Sequence, residues 1–232
     1  SLGDRMKGYE AAYDFVLPSR LPILCRIDGK NFHNYTKKCK RPFDDSLMNA
    51  MDQVAIDLCK EIQGAQVAFV QSDEVTIFIH NYKTLKMMPW MGNRLNKMIG
   101  EATAIASTSM SDSSPLIFGK RKNARFDARF AVYPEADVCN NFIWRQNDAS
   151  RNSLSSVCQS HFSPKKLLNK NREEQHELLH SIGVFWNDLA TKYKRGRCIV
   201  KETNIINGIE RSKWIVDYEI PIFSQDSNYI EK

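Results

Sequence analysis

The chain of 232 residues has six cysteines, Cys25, Cys39, Cys59, Cys139, Cys158 and Cys198, and no Cys-x-x-Cys pair among them. That spacing excludes the usual zinc sites and a disulfide framework, and it predicts reduced thiols in a cytoplasmic or organellar protein. No apolar run approaches the length of a membrane span, and no charged-then-apolar leader opens the sequence, so no membrane partner is expected. Internal repeats, low-complexity tracts and linkers are also missing. This argues for one continuous domain with residues 4–134 as its core and residues 135–232 completing it. Neither sign of charge dominates. The 33 Lys and Arg against 27 Asp and Glu leave a net charge of +6, which permits a polyanionic partner without demanding one.

What the chain does contain is centred on residues 66–80. Two apolar runs, Gln66–Val70 and Val75–His80, flank Gln71-Ser-Asp-Glu74 and read as a β-hairpin. Val75, Ile77 and Ile79 share a face by the two-residue period. An ordinary polar turn accounts for Ser72, Asp73 and Glu74, because Asp and Ser favour turns. A metal site accounts for them as well. It gains weight from Leu21–Gly29, an apolar strand that also ends in a carboxylate, Asp28, followed by Gly29. Two strand ends offering carboxylates to one point suit a hard cation such as Mg²⁺.

The remaining elements follow from periodicity and caps. Residues 4–17 read as a short amphipathic helix, and Ile23–Ile27 as the first strand. Pro42-Phe43-Asp44-Asp45 opens a helix along Leu47, Met51, Val54, Leu58 and Ile62, with either Asp as N-cap. Residues 91–109 form a second amphipathic helix, and the Ser-rich stretch 107–124 reads as a loop. A strand spans Phe126–Val132 and a long helix Glu135–His161. Asn171 and Glu174 form a capping box. Two strand-like runs, Arg197–Lys201 and Trp214–Tyr218, close the chain. The order β-α-β-β-α-β predicts an α+β fold: a palm-like, ferredoxin-type antiparallel sheet with helices on one face and a C-terminal elaboration. Basic residues follow the acidic strand ends: Lys30, Arg41, Arg94, Lys97 and Arg129. Such cations match triphosphate oxygens, and with paired carboxylates they make the layout of a two-metal nucleotidyl-transfer site.

Five stretches in order carry a resemblance to a known family. They are Arg26-Ile-Asp-Gly-Lys-Asn-Phe-His33, Arg41-Pro-Phe-Asp44, Gln71-Ser-Asp-Glu74, Phe126-Asp-Ala-Arg129 with Tyr133-Pro134, and Trp144-Arg-Gln-Asn-Asp148. Together they resemble the tRNA-His guanylyltransferase superfamily, whose members polymerise RNA in the 3′-to-5′ direction. The resemblance implies that Asp28, Asp73 and the Gly29 carbonyl hold two Mg²⁺ ions, with Glu74 as ligand or orienter in the catalytic set. It implies that Arg26, Lys30, Asn31, Phe32, His33, Arg41, Asp44, Ser72, Arg94, Lys97, Arg129 and Asn152 surround nucleotides. It further implies ATP and GTP or another NTP as substrates, tRNA as partner and a homotetramer. The basic run Lys120, Arg121, Lys122, together with Arg151, is the candidate tRNA contact. Plainer readings stand beside these: a loop histidine at His33, a solvated helix face at Arg94 and Lys97, and an Arg145–Asp148 pair within the long helix.

Enzymes dedicated to tRNA-His carry a His-Ile-Asn-Asn motif where this chain has Ser150-Arg-Asn-Ser153, keeping only Asn152. This resembles the guanylyltransferase-like branch, associated with template-directed repair of tRNA 5′ ends. The expected activity is therefore template-dependent 3′-to-5′ addition after ATP-dependent activation. The rivals are dedicated tRNA-His guanylylation, a palm-type nucleotide cyclase, and a tRNA-binding protein without catalysis.

Overall fold

In a computed structural model that describes residues 1–207 and 209–231, six strands form one antiparallel sheet in the order β4-β1-β3-β2-β5-β6. They are β1 (Ile23–Gly29), β2 (Ala65–Gln71), β3 (Glu74–Ile79), β4 (Phe126–Val132), β5 (Arg197–Ile206) and β6 (Ile209–Asp217). The first four strands have the ferredoxin-type order expected from the sequence, and the last two extend it past β2.

The sheet's two faces follow from strand alternation. Ile23, Cys25 and Ile27 of β1 join Val75, Ile77 and Ile79 of β3 in the larger core. Over them lie α3 (Asp45–Glu61) and α4 (Leu95–Ser113), which supply Met51, Val54, Leu58, Met98, Ala102 and Met110. Leu24 and Phe69 point the other way, where they meet Phe142 of α6 (Glu135–His161) and Phe223 of the tail. The ferredoxin-type helices thus share one face, and the C-terminal elaboration covers the other.

Local chemistry fixes the ends of these elements. Asp44 caps α3, accepting from the amides of Ser46 and Leu47 at 3.0 and 3.2 Å. The β2–β3 turn is only Ser72-Asp73, with Ser72 in the left-handed region at φ 46°. Short helices α2 (Phe32–Tyr35), α5 (Pro115–Phe118), α7 (Pro164–Leu167) and α9 (Thr191–Arg195) line the connections. Helix α8 (Arg172–His180) has the capping box of Asn171 and Glu174.

Three expectations need correction. The first helix, α1 (Leu2–Ala11), starts two residues before the expected 4–17 span, ends well short of residue 17 and buries none of its residues. The stretch 107–124 is not a loop throughout: α4 runs to Ser113 and α5 follows. Its serines are compatible with helix because their hydroxyls tie down the strand approach. Ser114 Oγ accepts from the Lys122 amide at 2.7 Å and Ser111 Oγ from the Ala124 amide at 2.9 Å. Strands β5 and β6 also run beyond the expected residues. They pair with each other out to Ile206 and Ile209, whereas β5 meets β2 only over Arg197–Val200.

Candidate active site

The sheet register places the acidic residues in one row. Asp28 lies directly opposite Glu74 on one side and Asp127 on the other, so all three point to the α6 face. Asp73 reaches this row from the adjacent turn: its backbone oxygen accepts from the Gly29 amide at 3.1 Å. A Cβ added to Gly29 would stand 2.8 Å from Asp73 Oδ2 and 2.3 Å from the Phe32 ring, so the Asp28-Gly29 corner closes against the Asp73 carboxylate. Burial, then the nearby Asp28 charge, pushes the Asp73 carboxyl up to about 6, with Glu74 adding to the rise and the Ser72 hydroxyl opposing it. A carboxylate raised by a second carboxylate is what a cation-binding pair looks like before the cation's own charge is added.

Glu74 is spoken for. Arg145 of α6 grips it bidentately, Nε to Oε1 and Nη2 to Oε2, both at 2.7 Å, and the two side chains are almost fully buried. Gln71 Nε2 adds a contact to Glu74 Oε1 at 3.3 Å. Arg145 also donates to Asp148 at 2.9 Å, the within-helix pair expected from the sequence. Of the two roles expected for Glu74, this geometry favours the orienter. Among the described residues no three acidic, His or Cys side chains converge on one point. What remains is two carboxylates and a backbone carbonyl. That sparse set fits Mg²⁺, which keeps several waters and completes its shell with substrate phosphates.

A cavity of about 330 Å³ opens beside this corner. Phe32, His33, Arg41, Asp44, Ser72, Asp73 and Asn152, all expected near nucleotides or metal, line it. Phe32 is itself held in the core, stacked on Tyr35 at 4.7 Å, so its contribution is packing. Arg26 and Arg129 lie one row from Asp28, on the same face but outside the cavity. Asn31 adopts the left-handed conformation that starts α2, and the Lys30 amide ties this turn to Arg125 O at 2.8 Å.

Within one chain, Arg94 and Lys97 are not brought to this corner. Asn93 contacts Asn81 beyond the far end of β3, a strand length of roughly 20 Å from Asp73. Arg94 there pairs with Asp14, its Nε donating at 2.6 Å. Lys122, expected to contact tRNA, is half-buried. Its ammonium is turned inward to Tyr35 O and over the Tyr35 and Phe118 rings, which fixes the loop against α2. Arg121 chelates Asp112 and Asn123, Lys120 is exposed, and Arg151 is exposed but paired with Asp148.

Several lining residues escaped sequence reasoning. Lys192, Tyr193, Gly196 and Arg197 form the far wall. Tyr193 stacks on Phe43 at 4.8 Å, and its hydroxyl and the Lys192 ammonium both donate to Asp45, at 2.7 and 2.8 Å. Arg197 is buried against Asp52 and donates to Met48 O at 2.9 Å, pinning β5 to α3. The only local signal was the basic run Lys192-Tyr-Lys-Arg-Gly-Arg197. Asp127 stood inside a stretch already singled out, but its place opposite Asp28 appears only with the strand register. Ser153, in the altered motif, is structural: Trp186 Nε1 donates to its hydroxyl at 2.9 Å.

The sequence model of a family described as tRNAHis guanylyltransferase matches residues 3–134. A probable tRNA(His) guanylyltransferase of Dictyostelium discoideum is 26% identical over 219 residues, covering 85% of this chain and 84% of the relative. A bacterial tRNA(His) guanylyltransferase (Thg1)-like protein solved in complex with ATP is 42% identical with a TM-score of 0.91, over 100% of this chain and 97% of that one. A second such bacterial structure, in complex with GTP, is 39% identical with a TM-score of 0.85, over 100% and 98%.

Proposed function

Since the chain belongs to the tRNA-His guanylyltransferase family, which matches it over more than half its length, we propose that it is a Mg²⁺-dependent nucleotidyltransferase that extends truncated tRNA at the 5′ end in the 3′-to-5′ direction. The observation that carries this reading is the Asp28–Asp73 corner opening on a cavity lined by Arg41, Lys192 and Asn152.

Two successive phosphoryl transfers make up the reaction. In the first, an oxygen of the RNA 5′-monophosphate attacks the α-phosphorus of ATP, and pyrophosphate leaves. In the second, the 3′-hydroxyl of an incoming NTP attacks the activated 5′-phosphorus. AMP leaves, and the new end carries the NTP's triphosphate. When bound, Mg²⁺ lowers the pKa of the attacking hydroxyl and offsets charge on the phosphates. Asp28, Asp73 and the Gly29 carbonyl would hold it. Arg145 keeps Glu74 off the metal corner and fixed beside Asp28. Arg41 and Lys192 supply cations for triphosphate oxygens, and no side-chain nucleophile is required. Direct test of the reading is incubation of a 5′-³²P-labelled truncated tRNA with ATP and NTPs. The product should be longer at its 5′ end and should require both ATP and Mg²⁺. No extension on any truncated tRNA would overturn the reading.

The altered motif at Ser150–Ser153 favours template-directed addition over dedicated tRNA-His guanylylation. A site that keeps its phosphate contacts but lacks the tRNA-His device takes direction from the opposing strand of the acceptor stem. A homotetramer, as in the family resemblance, would be the means of bringing Arg94 and Lys97 of another copy to the corner.

Gly29→Ala is expected to lower turnover by about a hundredfold or more, because the new methyl must displace either Phe32 or the Asp73 carboxylate. Circular dichroism should remain native. Turnover within threefold of the parent chain would contradict the corner geometry.

The Asp73 carboxyl gives a second expectation. Its folded-state pKa of about 6 lies above the usual value of 3.8, so the folded chain holds this proton more tightly than the unfolded chain does. Its contribution to stability is therefore full below the usual value and is lost as pH rises through about 6. A divalent cation would reverse that loss. At pH 7.5, ~10 mM Mg²⁺ should raise the melting temperature by several degrees, and at pH 5 by about one degree or less, because protons compete for the ligands. An equal shift at both pH values, or an undiminished shift in Asp73→Asn, would rule out this pair as the metal ligands.

A further inference from the structure

Trp144 does not line the cavity, and it is 53% exposed on the α6 face of the sheet. Its neighbours are cations: the Arg145 guanidinium lies 4.5 Å from the ring centroid and that of Arg26 lies 5.8 Å from it. Arg145 is rigid, buried and clamped to Glu74. Trp144 therefore stands on a fixed support. The Arg26 guanidinium meets this ring, and among the described residues no carboxylate forms an ion pair with it.

The strand register adds the second observation. Arg26 faces Arg129 directly across β1 and β4, one row from the Asp28–Asp127 pair. Like charges directly opposite each other are unfavourable in a sheet. Arg129 is more than half exposed, and its nearest acidic group, Asp127 Oδ1, is 3.8 Å away. Two arginines at directly opposed positions, one of them with only a long carboxylate contact, offer paired donors to an anion with several oxygens. A guanidinium held over an aromatic face stays charged, keeps its donors free at the edge and loses rotamer freedom before the anion arrives.

We propose that Trp144 is a positioning residue: its indole holds the Arg26 guanidinium beside that of Arg129, presetting a two-arginine clamp for phosphate oxygens one strand row from Asp28. This rests on the phosphoryl-transfer reading above and names what organises one of its phosphate contacts. The phosphate belongs either to the incoming NTP or to the 5′ end of the RNA, and both sources present the same oxygens.

The experiment uses the full chain. Inorganic tripolyphosphate is titrated while tryptophan fluorescence is followed in the parent, Trp144→Phe and Arg26→Ala chains. The parent should show a saturable change that is absent in both variants. Steady-state kinetics on a 5′-phosphorylated truncated tRNA with a matching NTP should show Trp144→Ala raising KM roughly tenfold, the size expected when a cation–π contact that orders a binding group is lost, with kcat within about threefold. Trp144→Phe should recover most of the loss. A KM rise for NTP alone assigns the clamp to the nucleotide, and a rise for RNA alone assigns it to the 5′ end. Unchanged KM for both substrates, an equal fall in kcat with no KM effect, or a fluorescence change that persists in Arg26→Ala would overturn the proposal. If the parent chain does not extend RNA, the functional reading fails, while the tripolyphosphate titration still decides the clamp.

Discussion

Asp28→Ala and Asp73→Ala are each expected to lower kcat by more than about a thousandfold, for 5′ activation and nucleotide addition alike, because in the proposed reaction both steps would draw on one metal corner. The two carboxylates are held next to each other by the Gly29–Asp73 backbone bond and the two-residue turn. Neither loss can be made good by Glu74, whose oxygens are both taken by Arg145. The loss should be catalytic rather than structural. Removing the Asp73 charge also removes its repulsion from Asp28 and its burial penalty, the two main causes of its raised pKa. In metal-free buffer at pH 7.5, Asp73→Asn should thus melt at a slightly higher temperature than the parent while being inactive, a trade-off usual at catalytic sites. Turnover close to the parent's in either alanine variant would remove these residues from the site.

Arg145→Met should have a large effect on stability. The Arg145–Glu74 pair is buried between α6 and the hairpin, and removing one partner leaves a carboxylate without compensation. Breaking such a pair destabilises by roughly 3–5 kcal/mol. For a chain of this length that corresponds to about 10 °C in melting temperature. The double variant Glu74→Gln/Arg145→Met should regain a substantial part, since no buried charge is then left unpaired. A fall of under about 1 kcal/mol in thermal or urea unfolding of Arg145→Met, or a double variant no better than the single, would contradict the pair's structural role. Activity should also fall in Arg145→Met, because a released Glu74 becomes a third carboxylate beside Asp28 and Asp73.

These effects show how far local sequence carries. The hairpin, the Asp44 cap, the long helix Glu135–His161 and the capping box at Asn171 were legible because each is set by short-range periodicity or by a side chain bonding its own backbone. Local sequence says less where the deciding partner is distant. Ser111 and Ser114 look like loop residues until their hydroxyls meet the amides of Ala124 and Lys122. Lys122 looks like a free cation until the Tyr35 and Phe118 rings are placed under it. In the site, Asp28 and Asp73 could be named from their strand-end position. The wall of Lys192, Tyr193 and Arg197 could not, because it reaches the cavity through β5 joining β2 some 130 residues downstream in the sheet. Asp127 shows the same limit: only register reveals which residue stands opposite Asp28.

On the proposed reading, the opposing strand of the acceptor stem directs nucleotide choice. The most direct measurement is incorporation of each of the four NTPs on one truncated tRNA whose template base, opposite the missing 5′ nucleotide, is set in turn to A, C, G and U. The Watson–Crick partner should be added in each case, and a fully paired tRNA-His should be a poorer acceptor of an untemplated G. Addition of G whatever the template base, and only on tRNA-His, would contradict it and identify a dedicated guanylyltransferase despite Ser150–Ser153.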